Sequence, residues 1–369
     1  METADIVIAG GGFAGATTAY RLARRGIRNI RLLEPEAVPG FYASGRNASL
    51  TFQLLSDPQE ARLALEGTQF IATPPNDFCG IPLLRRSGSL LLAGRSGIAA
   101  LERSYEISQT LGLPCEILPV DRAMNMVPPL ADARFDLALW NPSDGVVDVK
   151  RLLQCFLDGA RLCGADIQLE RTITAVQVDR GRITGVATNR GPIATPILVN
   201  AAGAWAGEIG RMAGVGARSF QARRRHMYQL QVGFPTDPSW PFVWHNDLDI
   251  YFRPEGTGLL SSPCDATPHP PVDPAVDAAM EPLFRDKLRR AFPALVHAQI
   301  VKSWACLRTF AGDERFVIGR DPEVEGLVWV AALGGHGVTT APAVGRLGAA
   351  AVLGEKAPEL DYFSPVRLA

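Results

Sequence analysis

The sequence predicts an α/β fold in which a Rossmann-type domain on a parallel sheet is interleaved with an α+β domain on a mixed sheet. Three observations predict it. A glycine-rich turn joins an apolar strand to a helix at the start of the chain, buried strands followed by small residues recur in the middle and near the end, and β-type patterning dominates between them. At 369 residues the chain exceeds the size at which one core usually stops growing, which favours two domains.

The glycine-rich turn has the form Gly-x-Gly-x-x-Gly, and each glycine has a physical role. Gly10 permits the tight turn, Gly12 lets the backbone approach a pyrophosphate, and Gly15 lets the following helix pack closely on the strand. The N-terminus of that helix would face the diphosphate with free N–H groups. Glu34 ends the second strand, 24 residues after Gly10, and would accept hydrogen bonds from the adenosine ribose. This order predicts a dinucleotide site, although a glycine-rich turn in an unrelated α/β protein would look the same locally.

Composition excludes several classes of function. A formal charge of −1 gives no electrostatic footprint for nucleic acid. The six cysteines form no C-x-x-C pair, so neither a metal site nor a disulfide framework is indicated, and reduced thiols favour a cytoplasmic protein. The first strand is expected within about five residues of the start, which leaves no room for a signal peptide. Residues 326–345 carry no charged side chain, but glycines, threonines and a proline interrupt them, which predicts strand, turn and helix rather than a transmembrane segment.

The remaining elements follow from hydrophobic periodicity and from the glycines and prolines that end each run. Helices are predicted over 14–25, 97–111, 149–163, 281–292 and 342–353, strands over 87–93, 197–199 and 327–331, a hairpin over 171–186, further β-structure over 220–262, and an exposed connection over 268–282. We expect residues 1–50, 145–215 and 305–369 to form the dinucleotide-binding domain. Residues 51–144 and 216–304 should form the substrate domain.

Four separated motifs carry a resemblance to a known family. They are Gly10–Gly15 with Glu34, residues 39–47, residues 198–205, and residues 304–310 with 329–337. In these motifs the chain resembles the FAD-dependent D-amino-acid oxidase-like superfamily, and it looks most like bacterial D-arginine and related D-amino-acid dehydrogenases. The resemblance implies a Rossmann-type domain holding FAD, and oxidation of a carboxylate-bearing amine, a D- or secondary amino acid. It also implies hydride transfer to flavin N5 and an imine product that hydrolyses to a keto acid.

The resemblance places a set of mostly small residues against FAD: Gly10, Gly12, Phe13, Ala14, Gly15, Glu34, Ser44, Gly45, Arg46, Asn47, Ala48, Ala201, Ala202, Gly203, Trp205, Gly334, Gly335, Gly337, Val338 and Thr339. The small side chains at 201–203 suit backbone that crosses close to a bound molecule, although plain helix–strand packing also explains such runs. The turn at 334–339 precedes a helix and would place N–H donors where the reduced flavin gains negative charge. Arg46 would counter phosphate charge, or be a solvated loop residue.

On the substrate side, the resemblance implies that Arg308 holds the substrate carboxylate. A guanidinium offers a bidentate fork for a carboxylate, which would fix the substrate's α-carbon toward the flavin. Tyr251 and Arg225 match family residues that also reach the carboxylate. Arg225 ends a run of three arginines, a pattern that is also typical of a solvated strand edge. His336 would tune the flavin or meet the substrate, or would make a structural hydrogen bond in its turn.

The chain departs from D-arginine dehydrogenase at a lid and at His336, which stands where that enzyme has a tyrosine beside the flavin. Leu50 and Leu55 stand where that enzyme has a histidine and a tyrosine on a lid, which predicts a more apolar or bulkier substrate side chain, or a different lid.

Cys306 has the spacing at which sarcosine oxidase-like relatives attach FAD covalently, but a buried core cysteine and noncovalent FAD are the expectation. Residues 257–262 lack the lysine that those oxidases place over the flavin, so a quinone or dye is expected to accept electrons better than O2.

Rival functions remain open at this point. The chain would be the flavin-bearing subunit of a heteromeric opine or glycine dehydrogenase complex if a partner subunit co-purified with it. It would be a nicotinamide dehydrogenase if it bound NAD, and yellow purified protein would exclude that. A sarcosine oxidase-like amine oxidase and a non-catalytic flavin-binding module are also compatible with these motifs. A small-molecule amine or amino acid is the expected substrate in every catalytic case.

Overall fold

The computed structural model describes residues 2–215 and 220–368. Within them, the helices are α1 (Phe13–Arg24), α2 (Pro58–Ala72), α3 (Ile98–Thr110), α4 (Val120–Met126), α5 (Val149–Leu162), α6 (Ala206–Met212), α7 (Met280–Ala291), α8 (Ala341–Leu353) and α9 (Pro358–Phe363). The five helices predicted from periodicity are present, with ends shifted by at most one residue. α2 was not predicted, although Asp57 begins it as an N-cap whose side chain accepts hydrogen bonds from the backbone of Gln59 and Glu60.

The strands fall into four sheets. They are β1 (Glu2–Thr3), β2 (Ile6–Ala9), β3 (Ile30–Glu34), β4 (Leu50–Thr51), β5 (Leu84–Arg86), β6 (Ser89–Ala93), β7 (Glu116–Leu118), β8 (Leu137–Asn141), β9 (Gly145–Val147), β10 (Asp166–Leu169), β11 (Ile173–Asp179), β12 (Arg182–Thr188), β13 (Ile193–Ala194), β14 (Leu198–Asn200), β15 (Gln221–Gln231), β16 (Phe242–His245), β17 (Ile250–Glu255), β18 (Gly258–Ser262), β19 (Thr267–Pro268), β20 (Gln299–Phe310), β21 (Val317–Arg320) and β22 (Leu327–Ala331).

The six-stranded sheet is the Rossmann-type sheet that the glycine-rich turn predicts. Its order is β10-β3-β2-β14-β22-β21, parallel throughout except for the last pair. Its strands come from the start, the middle and the end of the chain, which is the expected interleaving. The parallel strands β2, β14 and β22 end at the same edge, so the turns that follow them converge there.

The nine-stranded sheet is mixed, as predicted. Its order is β19-β15-β18-β17-β16-β6-β8-β7, with β20 also paired to β15; β16 and β6 are parallel, and the other pairs are antiparallel. The long β15–β20 pair sets Arg225 opposite Cys306 and Arg223 opposite Arg308. Directly opposed residues of an antiparallel pair share a face, so these four side chains project from one side of the sheet.

Two smaller sheets complete the fold: β1-β13-β12-β11, which contains the predicted hairpin, and β4-β9-β5. The hairpin turns at Arg180 and Gly181, which both have positive φ. The predicted domain boundaries stay a prediction, and residues 216–219, at one of those boundaries, lie outside the described residues. No helix in the described part of the chain is long and apolar enough to cross a membrane.

The connection over 268–282 is anchored rather than merely exposed. Asp277 forms an ion pair of 2.6 Å with Arg224 on β15, and Asp273 pairs with Arg46. α7 then begins at Met280 and buries Phe284 against the nine-stranded sheet, where its ring stacks on Tyr228 with centroids 4.4 Å apart. The segment and the start of α7 therefore pack on the face of β15 that carries Arg224 and Tyr228.

Candidate cofactor and substrate site

One cavity of about 470 Å³ lies where the two large sheets meet. Its walls come from the turns after β2, β14 and β22, from the segment 40–52, and from β15, β16, β17 and β20. The carboxyl edge of a parallel sheet is where α/β proteins bind nucleotides. The cavity therefore joins the predicted dinucleotide site to the face that carries Arg225 and Arg308.

The glycine-rich turn leaves no room for side chains. A Cβ at Gly15 would lie 2.0 Å from the carbonyl oxygen of Gly10, and a Cβ at Gly10, where φ is +105°, would lie 2.5 Å from that of Ala201. A Cβ at Gly12 would lie 2.9 Å from Ser44 Oγ, which accepts a hydrogen bond of 3.0 Å from the backbone of Phe13. The backbone of this turn is thus held bare against the cavity, as a closely approaching pyrophosphate requires.

Glu34 lines the cavity beside this turn. Its Oε2 accepts a hydrogen bond of 2.7 Å from Gly11 N, and its Oε1 accepts one of 3.0 Å from Glu36 N. Burial raises the pKa of the Glu34 carboxyl above its ordinary value. Each carboxylate oxygen has a second lone pair, so the side chain still has acceptor capacity for ribose hydroxyls.

Most of the predicted cofactor residues line this cavity: Gly10, Gly12, Phe13, Ala14, Glu34, Ser44, Asn47, Ala48, Ala201, Ala202, Gly203, Trp205, Gly334, Gly335, Gly337, Val338 and Thr339. Gly15, Gly45 and Arg46 do not. Gly15 instead allows α1 to pack on Gly10. The guanidinium of Arg46 pairs with Asp273 and lies over the Phe41 ring, 4.4 Å from the centroid, and its role in countering phosphate charge stays a prediction.

The turn at 334–340 joins the cofactor side of the cavity to the substrate side. Thr339 Oγ1 accepts a hydrogen bond of 3.0 Å from Phe52 N and lies 3.2 Å from Leu50 O, to which it donates. Gly335 has φ +122°, and a Cβ there would lie 2.8 Å from Arg308 Nη1. The N–H groups of Gly334 and His336 donate to backbone carbonyls. The N–H groups predicted to donate to a ligand are therefore those of the neighbouring residues in this turn.

Arg225 and Arg308 form the charged centre of the substrate side. Arg225 is 6% exposed, and it donates from Nε to Asp265 O at 3.0 Å and from Nη2 to Cys264 O at 2.8 Å. Burial, and then the positive charge of Arg225, lower the pKa of Arg308 to about 10. Among the described residues neither guanidinium forms an ion pair: that of Arg225 donates to backbone carbonyls, and Arg308 Nε has no hydrogen-bond partner. Two like charges, Arg225 buried and Arg308 partly buried, that form no ion pair with a described carboxylate favour the binding of an anion.

Tyr251 and His336 border the guanidinium pair. The Tyr251 hydroxyl is buried and donates to Met227 Sδ at 3.3 Å, and burial raises its pKa above the ordinary value. Burial, followed by the charges of Arg308 and Arg225, lowers the pKa of His336 to about 4. His336 is therefore a neutral imidazole at pH 7, and it is neither a fixed cation nor a strong base there.

The structure also locates the residues at which the chain departs from its relatives. Cys306 lines the cavity, and burial raises the pKa of its thiol, which keeps it uncharged. Leu50 lines the cavity, whereas Leu55 is 6% exposed and packs in the core beside it. The strand β18, which lacks a lysine, does not line the cavity, so that absence does not decide the electron acceptor.

Three aromatic residues beside the predicted Tyr251 were not foreseen from the sequence: Phe52, Phe242 and Trp244. We define the aromatic wall as Phe52, Phe242, Trp244 and Tyr251, all of which line the cavity. The spacing of Phe242 and Trp244, two residues apart on one strand, was the available signal that they share a face. Tyr42 was also missed; its ring lies 4.6 Å from that of Trp205, and its hydroxyl donates to Glu36 at 2.7 Å.

Comparison with known proteins places this geometry in a known family. The model of the DAO family, FAD dependent oxidoreductase, matches residues 5–351. Human (Homo sapiens) mitochondrial sarcosine dehydrogenase is 26% identical over 274 residues, covering 72% of this chain and 30% of that protein. The chain spans 30% to 40% of the length of the first curated relatives it matches.

Two solved structures are similar over nearly their whole length. L-proline dehydrogenase from P. horikoshii has a TM-score of 0.89 at 25% identity, covering 99% of this chain and 98% of that one. Glycine oxidase from Geobacillus kaustophilus has a TM-score of 0.83 at 25% identity, with the same coverage of both chains. No group of metal-ligating side chains that could hold an ion is present in the described residues.

Proposed function

The chain belongs to the DAO family of FAD-dependent oxidoreductases, and from its cavity we propose that it oxidises a carboxylate-bearing amine, a D- or secondary amino acid, to an imine that water hydrolyses to a keto acid. The observation that carries the proposal is the pair Arg225, which is buried, and Arg308, which is partly buried; both line the cavity, and neither forms an ion pair with a carboxylate of the described residues. A substrate carboxylate would supply the missing negative charge. The proteins it resembles include an L-proline dehydrogenase, a sarcosine dehydrogenase and a glycine oxidase, which supports this substrate class.

The cavity fits FAD, because the bare glycine turn, the small residues at 201–203 and the acceptor Glu34 stand where a dinucleotide needs them. Bound FAD supplies the two-electron acceptor that takes a hydride from the α-carbon of the amine. The protein's own contribution is orientation. Arg308 offers a fork to the carboxylate, and Arg225 is held in place by two backbone carbonyls, so the carboxylate meets a preorganised site.

Proton transfer in this proposal needs no protein base. His336 has a pKa of about 4, and Tyr251 and Cys306 have pKa values raised by burial, so none of the three takes a proton readily at neutral pH. The amine therefore reacts as the neutral species, whose lone pair forms the C=N bond as the hydride leaves, and the protonated imine that results passes its proton to water during hydrolysis. The guanidinium pair favours this form, because it disfavours a second positive charge beside it.

The test compares each amino acid with the amine that lacks only its carboxylate. Phenylalanine against 2-phenylethylamine and sarcosine against dimethylamine are suitable pairs, in both enantiomers where they exist, with anaerobic loss of flavin absorbance as the readout. Loss of a buried charged pair costs ~2–5 kcal/mol, so the decarboxylated amine should react about 30-fold to several thousand-fold more slowly. Equal rates within a pair would refute the carboxylate site, and no reduction by any amino acid would refute the proposed function.

A further inference from the structure

We propose that the aromatic wall selects substrates with an uncharged apolar side chain, aliphatic or aromatic, an inference that rests on the proposed function. The wall is continuous. Ring centroids lie 5.4 Å apart for Phe52 and Trp244, 6.0 Å for Phe242 and Trp244, and 5.1 Å for Phe242 and Tyr251. Trp244 and Tyr251 are direct partners across the β16–β17 pair, with centroids 5.9 Å apart.

The wall lies next to the carboxylate site. Tyr251 belongs to both, since the charges of Arg225 and Arg308 act on its hydroxyl. Met227, two residues along β15 from Arg225, contributes its sulfur to the same surface and contacts the Tyr251 hydroxyl. A substrate whose carboxylate meets the guanidinium pair would therefore extend its side chain along aromatic rings and a thioether.

The order of the wall is built into the fold. Phe52 follows β4, and its N–H donates to Thr339 Oγ1, which ties this ring to the turn that carries His336. Phe242 is 3% exposed and Phe52 is 9% exposed, so the rings are packed against one another rather than free in solvent. A wall held in this way presents a fixed apolar surface, which favours substrates that bury apolar area there.

Charge complementarity argues against a cationic side chain. Of the described residues that line the cavity, the carboxylates are Glu34, Glu36 and Glu208. Glu34 and Glu36 belong to the glycine-turn side, where they bond to Gly11 and Tyr42, and Glu208 lies on α6. None of them belongs to the elements that form the aromatic wall. A lysine or arginine side chain placed there would bury a charge beside two guanidinium groups, which is strongly unfavourable.

The wall contains two polar atoms, the Tyr251 hydroxyl and Trp244 Nε1. The hydroxyl is used by Met227, and the indole N–H is buried without a hydrogen-bond partner in the described residues. Neither supplies a negative charge. An acidic side chain is also disfavoured, because the guanidinium pair that would attract it is the site proposed for the α-carboxylate.

Binding of carboxylic acids that cannot react tests the wall apart from catalysis. We would measure the Kd of 3-phenylpropanoate, propanoate and 5-guanidinopentanoate from the perturbation of the flavin absorbance of the holoenzyme. One methylene in an apolar pocket changes selectivity by about 10- to 200-fold, so 3-phenylpropanoate should bind at least about tenfold more tightly than propanoate. Equal affinity, or tighter binding of the guanidino acid, would overturn the inference.

A pair of variants assigns the effect to the wall. Trp244→Ala should reduce the ratio of the two Kd values to below about threefold through weaker 3-phenylpropanoate binding, with propanoate affinity nearly unchanged. Trp140→Ala, on β8 of the same sheet and outside the cavity lining, should leave the ratio unchanged. Should Trp244→Ala fail to retain flavin, Phe242→Leu serves instead, with a smaller fall in the ratio. A ratio that neither wall variant changes would contradict the proposal.

Turnover separates this inference from the proposed function. Leucine and phenylalanine, in the reactive enantiomer, should reduce the flavin at least about tenfold more efficiently than arginine or glutamate. If arginine, glutamate or glycine is the best substrate, the inference about the wall is wrong while amino-acid oxidation stands. If no amino acid reduces the flavin and propanoate does not bind, the proposed function itself is wrong.

Discussion

Asp265 holds His226 on one face of β15 while its backbone holds Arg225 on the other. His226 Nδ1 donates to Asp265 Oδ2 at 2.7 Å, His226 N donates to Oδ1 at 2.8 Å, and Arg225 Nε donates to the Asp265 carbonyl oxygen at 3.0 Å. His226 Nε2 accepts a hydrogen bond from Asp277 N, which fixes the tautomer with the proton on Nδ1. Cys264, whose carbonyl accepts Arg225 Nη2, has φ +55°. The buried His226–Asp265 pair thus positions the Arg225 guanidinium through the backbone of the turn that contains Asp265.

Asp265→Ala should therefore weaken substrate binding, although Asp265 acts only through Arg225 and does not itself contact the substrate. With the carboxylate gone, the turn that presents the two carbonyls to Arg225 loses its anchor, and we expect KM for an amino acid to rise about tenfold, with kcat changed much less. The rate with the matching decarboxylated amine should not change, because that substrate does not use Arg225. An equal loss for both substrates would indicate a general structural defect instead.

Gly12→Val should abolish FAD binding. A Cβ at this position already lies 2.9 Å from Ser44 Oγ, and a branched side chain would fill the space that the pyrophosphate needs. The measurement is the ratio of flavin to protein absorbance after purification. Gly80→Val is the matched control, since a Cβ at Gly80 meets nothing within 4 Å. A Gly12→Val protein with full flavin content would show that the cofactor site is misassigned.

Much of the nucleotide-binding side follows from local sequence, and little of the substrate side does. The turn at Gly10 and Gly12 can be recognised from one short stretch of sequence, because the strand before it and the helix after it are adjacent in the chain. By contrast, His226 and Asp265 are 39 positions apart and meet only because β15 pairs with β18 and β19. The aromatic wall likewise depends on register between strands, which propensity does not encode. The ion pair of Arg46 with Asp273 was equally unpredictable, because Asp273 lies in a connection with no periodic pattern.

Arg308→Met should impair reaction with amino acids while leaving FAD bound. The substitution keeps much of the side-chain length but removes the charge, so the substrate carboxylate loses a charged hydrogen-bonded partner at a cost of ~2–5 kcal/mol. Stopped-flow flavin reduction across substrate concentrations measures this. Arg223→Met is the control, because Arg223 sits opposite Arg308 on β15 but pairs with Glu314 and does not line the cavity. Similar reduction kinetics in both variants would remove Arg308 from the site.

FAD should be released when the protein is denatured in acid. The Cys306 thiol is buried, and burial raises its pKa, so it is a poor nucleophile toward a bound ligand. We expect a yellow supernatant and a colourless pellet. Cys306→Ala should give the same result. A yellow pellet from the native protein that becomes colourless in the variant would establish a covalent link through this cysteine.

The pH profile of flavin reduction should report the substrate rather than the protein. His336, with a pKa of about 4, is already neutral above pH 5, and Tyr251 stays protonated because burial raises its pKa. Between pH 5 and 9, kcat/KM should therefore rise with pH along one limb, as the amine of the free substrate loses its proton. Substrates whose amines differ in pKa should shift that limb by the same difference. The limb should keep its position in His336→Asn, even if the variant is slower. A limb near pH 6 or 7 that is common to all substrates and lost in His336→Asn would instead identify His336 as the base.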